Sequence, residues 1–282
     1  MAPRASALNG AGLPRPADRT AYEGEIERLR QREKAHTREA DAIAAARRQL
    51  PMVEVDGGSE LLGPEGSTTL LDAFEGRRQL LAYYFMWWPG HPAADQCEGC
   101  TYYTNQVSDL SALHSRDITF AVLLQGRNVT FGPADARESY DASRHYREFM
   151  GWTMPWYSAQ PSLEELLPDR ELGLFHLVCY VRDGDRVFET YWTSRRGVQA
   201  MDYSYALMDL TVWGRQESWE DSPAGWPQDC TNVRTDSGAP AWTPTPDWTG
   251  RPISQWTRLD AGHGDDLGPS HPAPSPAPPH CH

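Results

Sequence analysis

The feature that most constrains this chain is an apolar, aromatic run at residues 80–87, followed by a loop that carries two closely spaced cysteines. The run is too short to span a membrane, and its length and bulk are typical of a strand buried on both faces. Pro89-Gly90 and His91-Pro92 predict a loop that ends in Cys97-Glu98-Gly99-Cys100. Apolar residues at helical spacing follow. The predicted order is therefore buried strand, loop, cysteine pair and helix.

A pair of thiols at the start of a helix is a place where chemistry can occur. The unpaired N–H groups and the dipole of a helix N-terminus favour thiolate over thiol. Cys97 and Cys100 are for this reason the first candidates for a functional site.

Composition excludes several other classes of protein. The formal charge of −13 and the absence of a basic stripe argue against a nucleic-acid partner. Lys34, the only lysine, lies in a charged helical segment, which argues against Schiff-base and P-loop chemistry. No apolar leader or membrane-length apolar run is present, so we expect a cytoplasmic protein. The chain has five cysteines, and an odd number in a reducing compartment does not suggest a disulfide framework.

The order of the predicted elements indicates an α/β fold of the thioredoxin-like type. A second buried strand is predicted at 117–124, and a hairpin at 174–181 and 187–192 surrounds Arg182-Asp183-Gly184-Asp185. A β-α-β unit followed by a helix, a hairpin and a last helix is the order expected of that fold. We expect the strands at 80–87, 117–124 and 174–180 to be neighbours in one sheet, with the helix after Cys100 packed on it.

The ends of the chain differ in composition from this centre. Residues 1–19 are expected to form a disordered leader and 20–51 a mostly solvated helix, followed by the thioredoxin-like domain at 52–225. The segment 226–282, rich in Pro and Trp, is expected to be a largely irregular, disordered tail.

Motifs along residues 25–225 resemble the thioredoxin-like family catalogued as domain of unknown function 899 (DUF899). The matching pieces are Arg32-Glu33-Lys34-Ala35-His36-Thr37-Arg38-Glu39, Ala45-Ala46-Arg47-Arg48-Gln49-Leu50-Pro51-Met52-Val53, Tyr84-Phe85-Met86, Cys97 with Cys100, Met150-Gly151-Trp152 with Pro155-Trp156, Arg182-Asp183-Gly184 with Val187-Phe188, Tyr203-Ser204-Tyr205 with Asp209-Leu210-Thr211, and Gly214-Arg215-Gln216-Glu217 with Trp219-Glu220. The resemblance implies a thioredoxin-like fold and says little about the reaction.

A thioredoxin-like fold implies roles for both cysteines. In thioredoxins the first cysteine attacks a disulfide and the second resolves the mixed disulfide, which gives these roles to Cys97 and Cys100. The acidic Asp95 and Glu98 are expected to raise the pKa of a nearby thiol. The cis-proline usual in thioredoxins is missing, and Phe175-His176 stands at that point of the chain.

His176 suggests a second mechanism, because the site is also similar to that of Sco-type copper chaperones. In those proteins two loop cysteines and a histidine at the equivalent strand entry bind copper. Three residues separate their cysteines, whereas two separate Cys97 from Cys100 in this chain. Thiolates with one imidazole suit copper, or zinc with a fourth ligand such as His91. The alternative is that His176 is a core histidine with one hydrogen bond. We predict metal-ligand distances between His176 and Cys97 or Cys100.

Other thiols and aromatic residues are weaker candidates. Cys179 is expected to be an inert core thiol, Cys230 an exposed one, and His280-Cys281-His282 an adventitious cluster that could also bind metal weakly. Aromatic residues near the cysteines are interpreted as core or as the wall of a substrate pocket. They are Trp87, Trp88, Tyr102, Tyr103, Trp152 and Trp156.

The sequence as a whole favours an oxidoreductase that acts on a small organic substrate. Cys97 and Cys100 either cycle between dithiol and disulfide or hold copper with His176. A non-catalytic protein that binds or delivers copper is the alternative from another class. Neither a nucleic acid nor a membrane is expected as a partner.

Overall fold

The computed structural model describes residues 12–91, 93, 96–126, 135–217 and 219–228, which form two compact units. Within the described residues, one unit contains 12–52 and 206–228, and the other contains 53–205. Most of the irregular tail expected at 226–282 therefore lies outside the described residues, as do residues 1–11 of the expected leader.

The first unit is dominated by helix α1 (Arg19–Arg47). Asp18 caps its N-terminus, accepting a hydrogen bond from the backbone N–H of Ala21 at 2.9 Å. None of its residues is buried, in agreement with a predicted helix whose apolar stripe is thin. The division between the two units lies at residues 52 and 53, next to the end predicted for this helix.

The second unit is built on one mixed sheet of eight strands. The strands are β1 (Val53–Val55), β2 (Glu60–Gly63), β3 (Gly66–Thr69), β4 (Gln79–Phe85), β5 (Ile118–Leu124), β6 (Trp156–Ser158), β7 (His176–Asp183) and β8 (Arg186–Ser194). Their order across the sheet is β1-β8-β7-β4-β5-β6-β2-β3.

The centre of the sheet confirms the predicted neighbours. Strand β4 pairs in parallel with β5 and antiparallel with β7, so the three apolar runs lie side by side. Strands β7 and β8 form the predicted hairpin, with Gly184 in its turn at a φ of +61° that suits glycine. The order β5-β4-β7-β8 is compatible with the thioredoxin-like arrangement expected from the sequence.

Among the described residues, five further α-helices connect or follow the strands. They are α2 (Glu98–Gln106), α3 (Ser111–His114), α4 (Ala136–Met150), α5 (Leu163–Leu166) and α6 (Tyr203–Met208). Within the described residues, no helix is long and apolar enough to cross a membrane.

Alternation along β4 divides the side chains between two faces of the sheet. Leu80, Ala82 and Tyr84 belong to a core cluster with Val178 and Tyr180 of β7, and we call this side the Tyr84 face. Tyr83 and Phe85 project from the other side, which we call the cysteine face.

The cysteine face is covered by α2 and α4. Phe85 packs against Trp156 with ring centroids 5.7 Å apart. The hydroxyls of Thr101 in α2 and Tyr146 in α4 lie 2.9 Å apart, within hydrogen-bond distance. The Sγ of Cys100 in α2 accepts a hydrogen bond at 3.4 Å from the backbone N–H of Met86, which directly follows β4. The helix after Cys100 therefore packs on the sheet, as predicted.

Burial within the sheet predicts different costs for the same substitution. Val178 is 0% exposed in the core, whereas Val53, at the edge of the sheet, is 66% exposed. Val178→Ala should destabilise the protein by about 2 kcal/mol because it removes buried methyl groups and leaves a cavity. Val53→Ala should change stability by less than about 0.5 kcal/mol. Urea unfolding followed by tryptophan fluorescence measures both, and equal shifts of the midpoint would contradict the packing described.

Candidate functional site

Cys97 and Cys100 are placed by the start of helix α2. Cys97 is the N-cap residue, and its Sγ accepts a hydrogen bond from the backbone N–H of Cys100 at 3.4 Å. The backbone N–H of Thr101 bonds to the carbonyl oxygen of Cys97 at 3.0 Å, which closes the first helical turn. The sequence therefore predicted the position of the pair correctly.

Gln96 fixes the loop that precedes the cysteines. Its side-chain amide donates to the carbonyl oxygens of Trp88 at 2.8 Å and His91 at 3.0 Å. Its Oε1 accepts from the backbone N–H of Trp88 at 2.9 Å. Gln96 is 1% exposed, so these bonds satisfy a buried amide and hold the loop to the residue before Cys97. No sequence pattern had identified this role.

The two thiols differ in exposure and in pKa. Cys97 is 8% exposed and Cys100 is fully buried. Hydrogen bonds from the side chain and backbone of Cys100 lower the pKa of Cys97 below the usual range of a thiol, against the effects of burial and of the Glu98 carboxylate. Burial raises the pKa of Cys100 well above that range. The expected effect of Glu98 is present, but the hydrogen bonds outweigh it, and Asp95 lies outside the described residues.

Tyr83 and Met86 complete the surroundings of the pair. The buried hydroxyl of Tyr83 has no partner with hydrogen-bond geometry among the described residues, yet it interacts electrostatically with the Cys100 thiol. The Sγ of Cys97 lies 3.9 Å from the Sδ of Met86, whose backbone N–H points at the Sγ of Cys100 at 3.4 Å. The alternation along β4 could have placed Tyr83 here, but the sequence was not interpreted in that way.

His176 does not join the cysteines, so the predicted contact is wrong. It is directly opposite Tyr84 in the β4–β7 pairing, and opposite residues project from the same face of a sheet. The preceding residue, Phe175, is the one near α2, with its ring centroid 5.9 Å from that of Tyr103. The resemblance to a strand entry in other proteins indicated the right part of the chain but not the direction of the His176 side chain.

His176 instead belongs to the Tyr84 face. Its Nε2 lies 3.0 Å from the carbonyl oxygen of Glu171, and its ring packs edge-on against Trp192. Burial lowers the pKa of His176. Nearby, Arg170 and Glu189 form an ion pair whose side chains are largely buried. His176 is therefore a core histidine with one hydrogen bond, which was the alternative to a metal ligand in the sequence analysis.

The ligand set predicted for copper is consequently not assembled. Cys97 and Cys100 lie on the cysteine face and His176 on the Tyr84 face, which separates imidazole from thiolates by the thickness of the sheet. Over the described part of the chain, no three His, Cys, Asp or Glu side chains are grouped to hold a metal ion. His91 is half-buried, with its ring against Trp88.

The remaining candidates have other positions. Cys179 is a half-buried thiol in β7 rather than a fully buried one. Cys230 and residues 280–282 lie outside the described residues. Most of the aromatic residues near the cysteines are buried and pack against one another, α4 or α6. These are Trp87, Tyr102, Tyr103, Trp152 and Trp156.

Glu98 offers a direct test of the electrostatics around Cys97. Because its carboxylate raises the pKa of Cys97, Glu98→Gln should lower that pKa and extend the reactivity of Cys97 to lower pH. The rate of Cys97 alkylation as a function of pH, followed by mass spectrometry, measures the shift. Glu138→Gln, also in the first turn of a helix, is the matched control and should leave the profile unchanged. An unchanged profile for Glu98→Gln would contradict this account.

Comparison with known proteins identifies a family. No curated protein matches the chain. The sequence model of a family described as "Bacterial protein of unknown function (DUF899)" matches residues 12–237, which include both cysteines and every strand of the sheet. The chain belongs to this family, the bacterial proteins of unknown function DUF899.

Proposed function

We propose that this protein is a thiol–disulfide oxidoreductase in which Cys97 is the attacking thiol and Cys100 the resolving thiol. The observation that carries the proposal is the difference between two neighbouring thiols at the start of α2. Cys97 is the N-cap residue, is 8% exposed and has a lowered pKa, whereas Cys100 is fully buried and has a raised pKa. A thiol that ionises more easily and keeps some exposure, followed by a fully buried second thiol, suits a two-step exchange.

The first step transfers a sulfur–sulfur bond to the protein. The thiolate of Cys97 attacks one sulfur of a substrate disulfide, forms a mixed disulfide and releases the other substrate sulfur as a thiolate. The lowered pKa of Cys97 increases the fraction of the attacking thiolate at neutral pH. The released thiolate takes up the proton that Cys100 must lose.

The second step releases the substrate. The thiolate of Cys100 attacks the Sγ of Cys97, the second substrate sulfur leaves, and a Cys97–Cys100 disulfide forms. The substrate has then gained two electrons and become two thiols, and the protein dithiol has lost two electrons. A dithiol reductant returns the protein to its starting state.

Tyr83 supports the second step because it interacts with Cys100, the thiol that must lose its proton. The Tyr83 hydroxyl interacts with the Cys100 thiol, and this interaction lowers the pKa of Cys100 and partly offsets the effect of burial. A hydrogen bond that this hydroxyl donates to a Cys100 thiolate is stronger than one to the thiol, because hydrogen bonds to charged acceptors are the stronger ones. Tyr83 therefore favours the form of Cys100 that attacks.

The substrate class, fold type and location are part of the same proposal. A small organic disulfide suits a cysteine that is only 8% exposed and lies between a helix start and a fixed loop. The β5-β4-β7-β8 order supports a thioredoxin-like assignment. The odd number of cysteines and a pair that works as a dithiol support a cytoplasmic location, where thiols stay reduced.

Cysteine variants test the proposal with glutathione disulfide as the probe. Cys97→Ser should slow disulfide reduction by at least about a hundredfold, because loss of a nucleophile costs enzymes at least that much. Cys100→Ser should accumulate a mixed disulfide at Cys97, visible by mass spectrometry. Cys179→Ser is the matched control and should behave as the parent. Reduction by Cys97→Ser at the parental rate would refute the assignment.

Tyr83→Phe tests the second step alone. It should raise the pKa of Cys100 and slow resolution of the mixed disulfide by about tenfold or more, since hydrogen bonds to charged groups contribute about 1.5–3 kcal/mol. Higher pH should restore the rate, and the initial attack by Cys97 should be unaffected.

Tyr84→Phe is the control for this variant. The hydroxyl of Tyr84 lies on the other face, 2.9 Å from that of Tyr180, so its loss should leave both steps unchanged. Rapid-mixing kinetics with mass spectrometry separates the two steps. Equal resolution rates in the Tyr83 variant and the parent would remove Tyr83 from the mechanism.

A further inference from the structure

Three sulfur atoms, rather than two, meet at the start of α2. The Sγ of Cys97 lies 3.9 Å from the Sδ of Met86. The Sγ of Cys100 lies on the same side, 3.4 Å from the backbone N–H of Met86. Met86 follows β4 directly and is half-buried, so a strand end and a helix start supply the three atoms.

The distance between the sulfurs of Cys97 and Met86 matches the separation of two ligands around one metal ion. Metal–sulfur bonds of about 2.3 Å in a planar three-coordinate site place the sulfurs about 4.0 Å apart. The distance of 3.9 Å between Cys97 and Met86 therefore needs little rearrangement to admit an ion. The imidazole of His176 is on the other face of the sheet and is not required.

The chemistry of the three atoms selects the ion. Two thiolates and one thioether are soft ligands, which favour copper(I) over harder divalent ions. A cation also offsets the negative charge that the Glu98 carboxylate places next to Cys97. Nearly complete burial of both cysteines leaves little room for the additional water or oxygen ligands that divalent ions prefer.

We propose that Met86, Cys97 and Cys100 bind a single copper(I) ion when the cysteine pair is reduced. The inference rests on the proposed function, because the site uses the dithiol form of the same cysteine pair. Met86, rather than His176, is the third ligand. Binding releases the thiol protons and involves no change in the oxidation state of copper or sulfur.

Copper(I) titration of the reduced full-length protein without oxygen, against the chromophoric chelator bicinchoninate, tests the site. We expect the parent protein to bind one ion per chain more than the Cys97→Ser/Cys100→Ser variant binds. This comparison subtracts any copper that binds to His280-Cys281-His282. X-ray absorption at the copper edge should show three sulfur neighbours at about 2.3 Å. The Met86→Leu variant should show two sulfur neighbours instead of three, and its affinity for copper(I) should be at least about tenfold weaker. Even residues that only contact the ligands of a metal ion contribute about 10–100-fold to its affinity.

Two controls identify the third ligand. His176→Gln keeps an N–H that can reach the carbonyl of Glu171 and should bind copper(I) as the parent does. Selenomethionine-labelled protein should show a selenium neighbour in the copper-edge spectrum, which tests Met86 even if the Met86→Leu variant does not fold.

Several results would overturn the site. They are no binding beyond the double cysteine variant, parental affinity in folded Met86→Leu, absence of a selenium neighbour, and a loss in His176→Gln equal to that in Met86→Leu. The disulfide assay is run with a copper chelator present. Failure of copper binding with disulfide reduction intact would therefore refute this inference alone, and the reverse result would refute the proposed function alone.

Discussion

The antiparallel pairing of β4 with β7 decides which chemical groups in this protein can meet. Its register sets Tyr84 opposite His176 and Tyr83 opposite Leu177. Since opposite residues share a face and successive residues alternate, the imidazole is assigned to one side of the sheet and the Tyr83 hydroxyl to the other. A shift of the register by one residue would exchange them. The contact between Tyr83 and Cys100 therefore depends on a pairing of backbones, not on any property of the cysteine loop.

On the cysteine face, the local geometry of a helix start separates two otherwise similar thiols. The N-cap position gives Cys97 hydrogen-bond donors, and they outweigh both burial and the neighbouring Glu98 carboxylate. Cys100, one turn further, is fully buried, and there desolvation dominates its pKa. A single turn of backbone thus produces one thiol with a lowered pKa and another that is fully buried and has a raised pKa.

The sequence predicted the features that depend on local pattern and failed where long-range direction matters. Apolar runs, Gly184 and the two cysteines predicted the central strands, the hairpin and the start of α2, because burial, turn chemistry and helix capping act over a few residues. The direction of His176 follows from a register between residues far apart in the chain. Strand β3 and the hydrogen bonds of Gln96 also depend on contacts that composition does not reveal. Met86 carries no signal of a ligand in the sequence, because a methionine after an apolar strand is usually a core residue.

The proposed dithiol chemistry and the proposed copper site use the same two sulfurs, so each must affect the other. A Cys97–Cys100 disulfide has no thiolates to offer, and copper(I) therefore binds the reduced form alone. Ligand binding to one of two states stabilises it by mass action, by about 2.7 kcal/mol at a hundred times the dissociation constant. For a two-electron couple, this corresponds to a reduction potential raised by about 60 mV. Copper(I) would thus hold the pair reduced and withhold it from exchange, while oxidation of the pair would release the ion.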